Sequence, residues 1–316
     1  MTSIAPQRFS RLGVFGVALA LGGLAIIPFV TSTTGLRQAS QIIISVLAVL
    51  GVNVATGYGG MISLGHGGFI GVGAFATGYY VDGLGLPWLL AIALGAATAG
   101  LSGALVGLPA LRIKGIHLAL VTLGLAIVFQ PLSKRFPKFS GGVSGKGIEA
   151  EFVAPSWWPG DTRMATAVYR YLFCIVIVGL ALWATWNLVN SRFGRSMRAI
   201  RDNDTAAAVY GVDLISARLQ TFAVSAGLAG LCGALQVVLV PFVSQEKFTP
   251  QQSLVIYATA VIGGLGTIWG SVLGVVARTA VGAAGEAAAG VDGLGPIGEV
   301  FDLLDEPAFV FGVGLI

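Results

Sequence analysis

Charge is scarce in this sequence: Asp, Glu, Lys and Arg make up 10% of 316 residues, where soluble globular chains carry roughly 25%. With 55% hydrophobic residues and a mean hydropathy of +0.87, that deficit excludes a water-soluble core with a few buried helices. Cysteine is nearly absent as well. Cys174 and Cys232 both lie inside apolar runs, which excludes a disulfide framework and argues against a metal site; buried packing thiols are the expectation. No Gly-x-x-x-x-Gly-Lys-Ser/Thr loop occurs, so the chain has no phosphate cradle of its own. The pI of about 9.2 does not mark a nucleic-acid binder, because the basic residues sit in the connections between apolar runs, where orientation signals fall. No cofactor and no nucleic-acid partner are expected.

What is present is a series of apolar runs long enough to cross a bilayer, each needing about 20 residues. They lie near 12–31, 38–57, 61–81, 87–108, 115–132, 168–190 and 219–241. The region 253–288 reads as two short helices broken at Gly263-Gly264-Leu265-Gly266. A last run, Pro307–Ile316, is too short to span at 1.5 Å per residue, so the C-terminus is read as a partial helix or a truncated one. Arg8 and Arg11 precede a first run longer than a signal-peptide core, which favours an uncleaved first span. The expected fold is all-α: a polytopic membrane protein with about 8–10 transmembrane helices in one transmembrane domain over residues 1–316. The 47 glycines fall inside the apolar runs without a collagen period and read as close helix packing.

Basic residues set the orientation. The N-terminus, the Arg112/Lys114 connection and the segment 191–218 fall on one side, taken as cytoplasmic, and Arg278 is left unassigned to either. The opposite side carries the longest polar connection, 133–167, with Ser140–Gly147 glycines for tight turns and Trp157-Trp158 suited to an interface. It reads as a solvated extracytoplasmic loop or as a docking surface for an external partner.

The segment Ser191–Arg218 is a charged island in an apolar chain. Arg195, Arg198 and Arg201 recur every three residues, Asp202-Asn203-Asp204 offers an N-cap, Thr205–Tyr210 suits a helix, and Gly211 supplies a left-handed C′ position. A helix of one or two turns is unstable alone in water, so packing or a partner must hold it. A second feature is Gly57–Ala74. Its glycines around Ser63 and His66 let backbone leave the helix, which membrane depth tolerates only inside protein or beside a water-filled cavity. Ser63, His66, Asn53 and Thr122 are therefore candidates for a translocation pathway; interhelical hydrogen bonding is the competing role. His117 reads as interfacial. The Gly263–Gly274 block faintly echoes Gly57–Gly73 and points to the same region of the membrane.

Thr205-Ala206-Ala207-x-x-x-Gly211 resembles the EAA-x-x-x-G signature of the coupling loop in bacterial ABC importer permeases, with Thr in place of Glu. Gly57-Tyr-Gly-Gly-Met-Ile-Ser-Leu-Gly-His-Gly-Gly-Phe69, Leu111-Arg-x-Lys-Gly-x-His117 with Val121-Thr-Leu-Gly124, Gly194-Arg-x-Met-Arg-Ala-Ile-Arg-Asp-Asn203 and Gly263-Gly-Leu-Gly-Thr-x-Trp-Gly270 add to it. Together, over roughly 38–316, they resemble the branched-chain amino acid permease family, the subunit type with the longer N-terminal region. The chain departs from the family pattern at Ile127, Gln130 and Ser144. The resemblance implies a multi-pass protein of the bacterial cytoplasmic (inner) membrane. Its expected partners are a second homologous permease, two ATP-binding cassette ATPases, an extracytoplasmic solute-binding protein and membrane lipid. It also implies that Arg201, Asp202, Asp204, Ala206, Ala207 and Gly211 meet an ATPase, with ATP hydrolysis in separate subunits rather than in this chain.

The function read from the sequence is ATP-driven import of a branched-chain or related amino acid by alternating access. Urea and short amides, carried by close relatives, are the alternative solutes. An ion-driven secondary transporter is the alternative class; it commonly uses intramembrane carboxylates, and the spans up to residue 241 hold an acid only at Asp82, at a helix edge. A membrane-embedded enzyme has no acid/base or ligand cluster to support it.

Overall fold

The computed structural model describes residues 31–110, 113, 115–155, 157–159 and 162–289. Helix α1 (Thr33–Val52) runs into a π-helical stretch, Asn53–Tyr58. Next come α2 (His66–Asp82), α3 (Trp88–Ala110), α4 (Ile116–Lys134) and the one-turn α5 (Pro137–Ser140). Helix α6 (Thr162–Asn190) leads into the island, which folds as α7 (Arg192–Asp202) and α8 (Asp204–Val209). Helices α9 (Leu214–Leu239), α10 (Pro250–Gly263) and α11 (Ile268–Ala289) complete the bundle. Every apolar run expected between 38 and 288 contains one of these helices, and 253–288 is indeed two helices broken at Gly264–Thr267. The first run at 12–31, the Arg112/Lys114 pair and the run at Pro307–Ile316 lie outside the described residues.

Five helices are individually long and apolar enough to cross a membrane, and the α10–α11 pair, bent by 113° at its break, makes a sixth span if taken as one. Helix α2, at 17 residues, is short for crossing, about 26 Å at 1.5 Å per residue against roughly 30 Å of hydrocarbon.

Helix α9 is the centre of the bundle, packed against α3, α2 and α1. Small residues allow this. Ala226, Ala229, Gly230 and Gly233 on α9 are buried, and a Cβ added at Gly233 would strike the Ile70 carbonyl of α2. In lipid there is little hydrophobic drive between helices, so close van der Waals approach supplies much of the association. The larger side chains Phe69, Phe75, Phe248 and Tyr171 fill the spaces between helices.

At the end of α6 and α9 away from the island, the connection after α5 is folded onto the bundle. Lys146–Gly147 (β1) pairs antiparallel with Phe242–Val243 (β2), Lys146 opposite Val243. Asp82 accepts from the amides of Glu149 and Ala150 at 3.3 and 3.4 Å, the Gln245 carboxamide donates to the Gly142 carbonyl, and Phe152 stacks on Tyr169. Ile148 and Phe152 of the loop thus join the bundle core, with Trp157 and Val143 left at its surface (74% and 77% exposed).

Gly233→Val should collapse the α2–α9 seam. Overpacking typically costs about 1–3 kcal/mol, so thermal unfolding in detergent should show a clear drop in Tm, whereas Gly179→Ala, which meets no neighbouring atom, should leave Tm unchanged. Equal melting of the two variants would refute close packing at this seam.

Candidate functional site: the island and the two helix breaks

The island is two capped helices rather than one. Ser191 caps α7 through the Gly194 amide (3.5 Å), and Met197 and Ile200, three residues apart, turn inward, 1% and 7% exposed. Asn203 leaves the helix in extended geometry, and its Oδ1 accepts from the Ala206 amide at 3.0 Å to start α8. Gly211 follows with φ +81°, the left-handed exit that glycine adopts without strain. Asp213 then caps α9 through the amides of Ile215 and Ser216.

Several contacts hold this unit to the bundle, beginning with Met197, which packs against Leu50, Val54 and Tyr58. Ala207 packs with Ile200 and Ala217 in a small apolar cluster. Beside it, Asp204 pairs with Arg218 of α9 at 2.5 Å, the side chains 19% and 8% exposed. Removing one partner of so enclosed a pair strands a charge, which costs far more than losing an exposed pair. Arg201 pairs with Asp202 at 3.0 Å in solvent, a contact that contributes little, but it also reaches inward, where its Nη1 donates to the Gly57 carbonyl at 2.8 Å. Gly60, at φ +66°, lies directly under the Arg201 side chain, where a Cβ would not fit.

Gly57 belongs to the π-helical end of α1, and the same stretch grips the second helix break. Asn53, fully buried, accepts from the Gly266 amide at 2.7 Å through Oδ1. Its Nδ2 donates to the Thr267 carbonyl at 2.5 Å and to Ser271 Oγ at 3.1 Å. One carboxamide therefore satisfies both a donor and an acceptor of backbone that has left the helix, and Thr267 Oγ1 in turn caps α11 through the Gly270 amide. The two glycine-rich blocks meet face to face, Gly57 against Gly266.

His66 opens α2 after a non-helical stretch from Gly60 to Gly65. It is fully buried, with Nε2 2.8 Å from Ser225 Oγ on α9 and Nδ1 3.3 Å from Ser63 Oγ. Ser225 spends its one proton on the Gly51 carbonyl (2.7 Å), so Nε2–H donates to Ser225 and, in the neutral imidazole, Nδ1 accepts from Ser63. Thr122 of α4, also fully buried, accepts from the Leu64 amide at 2.9 Å. The Gly67 amide is taken by Ser253 of α10 at 2.9 Å. Asn53, Ser63, His66 and Thr122 are thus gathered around the two breaks, each fully buried and each with hydrogen-bond partners. Among the island residues, Asp202, Ala206 and Gly211 are exposed, Arg201 is partly engaged, and Ala207 and Asp204 face the bundle.

Residues not singled out from the sequence complete the island's outer face. Val209, Tyr210 and Ile215 are 81%, 87% and 59% exposed, an apolar tip on an otherwise polar unit. The signal was available in the apolar pair Val209-Tyr210 before Gly211, while Val212 after it packs inward on Ile200 and Ala207.

The family model described as "Branched-chain amino acid transport system / permease component" matches residues 36–304. The chain belongs to this family. It is 28% identical to the high-affinity branched-chain amino acid transport system permease protein LivM of Salmonella typhimurium, covering 79% of this chain and 63% of the relative. Against LivM of Escherichia coli it is also 28% identical, over 83% and 66%. The galactose/methyl galactoside import permease protein MglC of Salmonella typhimurium is 26% identical over 57% and 55%. The chain therefore spans about two thirds or less of the length of these curated relatives. No solved structure matches it significantly. Family membership and the apolar helices make it a multi-pass membrane protein of permease type.

Replacing Asn53 with Leu should remove the partner of the Gly266 amide and the Thr267 carbonyl, at roughly 0.5–1.5 kcal/mol per hydrogen bond lost. Hydrogen exchange read by mass spectrometry should then accelerate in peptides covering 263–271 while those covering the α2–α9 seam stay protected. Uniform acceleration, or none, would contradict the clamp.

Proposed function

We propose that this chain is the membrane-embedded subunit of an ATP-driven importer in the bacterial cytoplasmic membrane, carrying a branched-chain or related amino acid by alternating access. The observation that supports this most directly is the island: a doubly capped, bundle-anchored helix pair with an exposed apolar tip, in a chain of the permease family. In this reading 191–218 is the cytoplasmic coupling loop and 133–167 the extracytoplasmic loop. Two ATP-binding cassette ATPases hydrolyse ATP outside this chain, a second homologous permease completes the pathway, and a solute-binding protein delivers to the folded outer loop.

The geometry supplies a mechanical route. A partner gripping Val209 and Tyr210 moves α8. Asp204–Arg218 and the Ala207 cluster pass that motion to α9, and Arg201 passes it to the π-helical end of α1 through Gly57. Asn53 then carries it to the α10–α11 break. Such a contact changes the balance of inward-open and outward-open states only by the difference in its affinity for the two. Arg201, Asp202, Ala206 and Gly211 frame the tip, and Ala207 and Asp204 set its register from below. Asn53, Ser63, His66 and Thr122 act in this scheme as the joint through which the pathway opens. A second reading, a permease for a neutral solute such as a sugar or short amide, is favoured by the similarity to the galactoside permease.

Tyr210→Asp, and separately the double charge reversal Arg201→Glu with Asp202→Arg, should weaken co-purification with the ATPases by on the order of tenfold and abolish solute-stimulated ATP hydrolysis. The variants' thermal stability in detergent should stay near that of the wild type for Tyr210→Asp. Unchanged assembly and stimulation in both would sink the coupling assignment.

A further inference from the structure

Two cavities lie side by side along α1, α9 and the α10–α11 hairpin, each of about 320 Å³, a size suited to a small solute, and both are walled by Gln236 and Gln252. The outer one also takes Gln41, Phe248 and Lys247; the inner one takes Ser45, Gln251 and Arg278. Their apolar walls come from residues such as Ile44 and Ala74 in one and Ile70 and Val255 in the other. Neither cavity is lined by an acidic residue.

Arg278 lies within α11, one of the two bent helices that together are long and apolar enough for a span. An arginine on an apolar spanning helix is costly where it faces lipid, and such residues ordinarily face a cavity or a partner. This one faces the inner cavity and has no ion-pair partner among the described residues. Across the cavity mouth, the Gln252 Oε1 is buried with no hydrogen-bond partner, an acceptor shielded from water and left unused. An unspent cation and an unspent acceptor on one apolar-walled path are complementary to a carboxylate and an ammonium group carried on one small molecule.

We propose that the two cavities form the solute path, in which Arg278 receives the carboxylate and Gln252 the ammonium of a zwitterionic amino acid with an uncharged side chain. This rests on the permease reading above. Lys247 at the outer mouth draws the carboxylate inward, and the apolar walls accept an aliphatic side chain. Gln41, Gln236 and Gln251 offer both donors and acceptors along the way, so a moving solute exchanges one hydrogen bond for another instead of losing it.

The test uses the complete importer, with its ATPases and binding protein, reconstituted in liposomes and supplied with radiolabelled leucine. Arg278→Gln and Gln252→Leu should each lower the uptake rate about tenfold or more, and Arg278→Lys should recover part of it. Wild-type uptake in both loss variants would overturn the path while leaving the permease reading intact. No uptake of any proteinogenic amino acid by the wild-type importer would overturn both. If Arg278→Gln does not assemble, Gln252→Cys in a Cys174→Ala, Cys232→Ala background decides. Labelling by a membrane-impermeant methanethiosulfonate, slowed by saturating leucine, is expected, and absence of labelling in every nucleotide state would refute the assignment.

Discussion

Inside a membrane a backbone amide or carbonyl that leaves the helix has no water to turn to, and this chain leaves the helix twice at the same place. Asn53 answers that constraint for the second break by holding Gly266, Thr267 and Ser271 with one side chain. Arg201, Thr122 and Ser253 answer it for the first. The rest of the arrangement follows from those bonds. Gly57 and Gly266 must approach without side chains between them, α10 must be short, and the island must sit where an arginine can reach the end of α1.

The island is consequently a part of the joint and not a loop beside it. Its caps set where each short helix begins, its apolar inner face seats it on α9, and its exposed large apolar side chains are Val209, Tyr210 and Ile215 at the tip. The longest-range link is a single hydrogen bond from Arg201 to a carbonyl at a helix end, one of the groups that a helix cannot satisfy by itself. Lysine has one ammonium where arginine has a fork, so the simultaneous contacts with Asp202 and Gly57 suit arginine in particular.

Much of this was legible from residue order. Apolar runs marked the helices because the bilayer imposes a length, glycines marked both breaks, and the Asp202-Asn203-Asp204 triplet and Gly211 marked the limits of α8 because caps act within a few residues. What stayed hidden depends on pairing between distant segments. Asn53 and Gly266 are 213 positions apart, and nothing local says that an asparagine in α1 completes a turn near the other end of the chain. That Asp204 and Ala207 face the bundle was likewise hidden, because their floor, Arg218 and Ala217, comes from α9. Arg278 could be assigned to neither side of the membrane from charge counting because it lies within a helix, partway along α11, and not in a connection.

The small-residue face of α9 has a bearing on motion. Where helices touch backbone to backbone there are no long side chains to change rotamer and take up slack, so sliding one helix over the other would lift a whole row of contacts at once. Helices α2, α3 and α9 therefore behave as a single stiff block. The hairpin of α10 and α11 meets this block through Ser253 and the apolar side chains Ile256, Ala260 and Val275, and the end of α1 through Asn53, with its turn under Arg201.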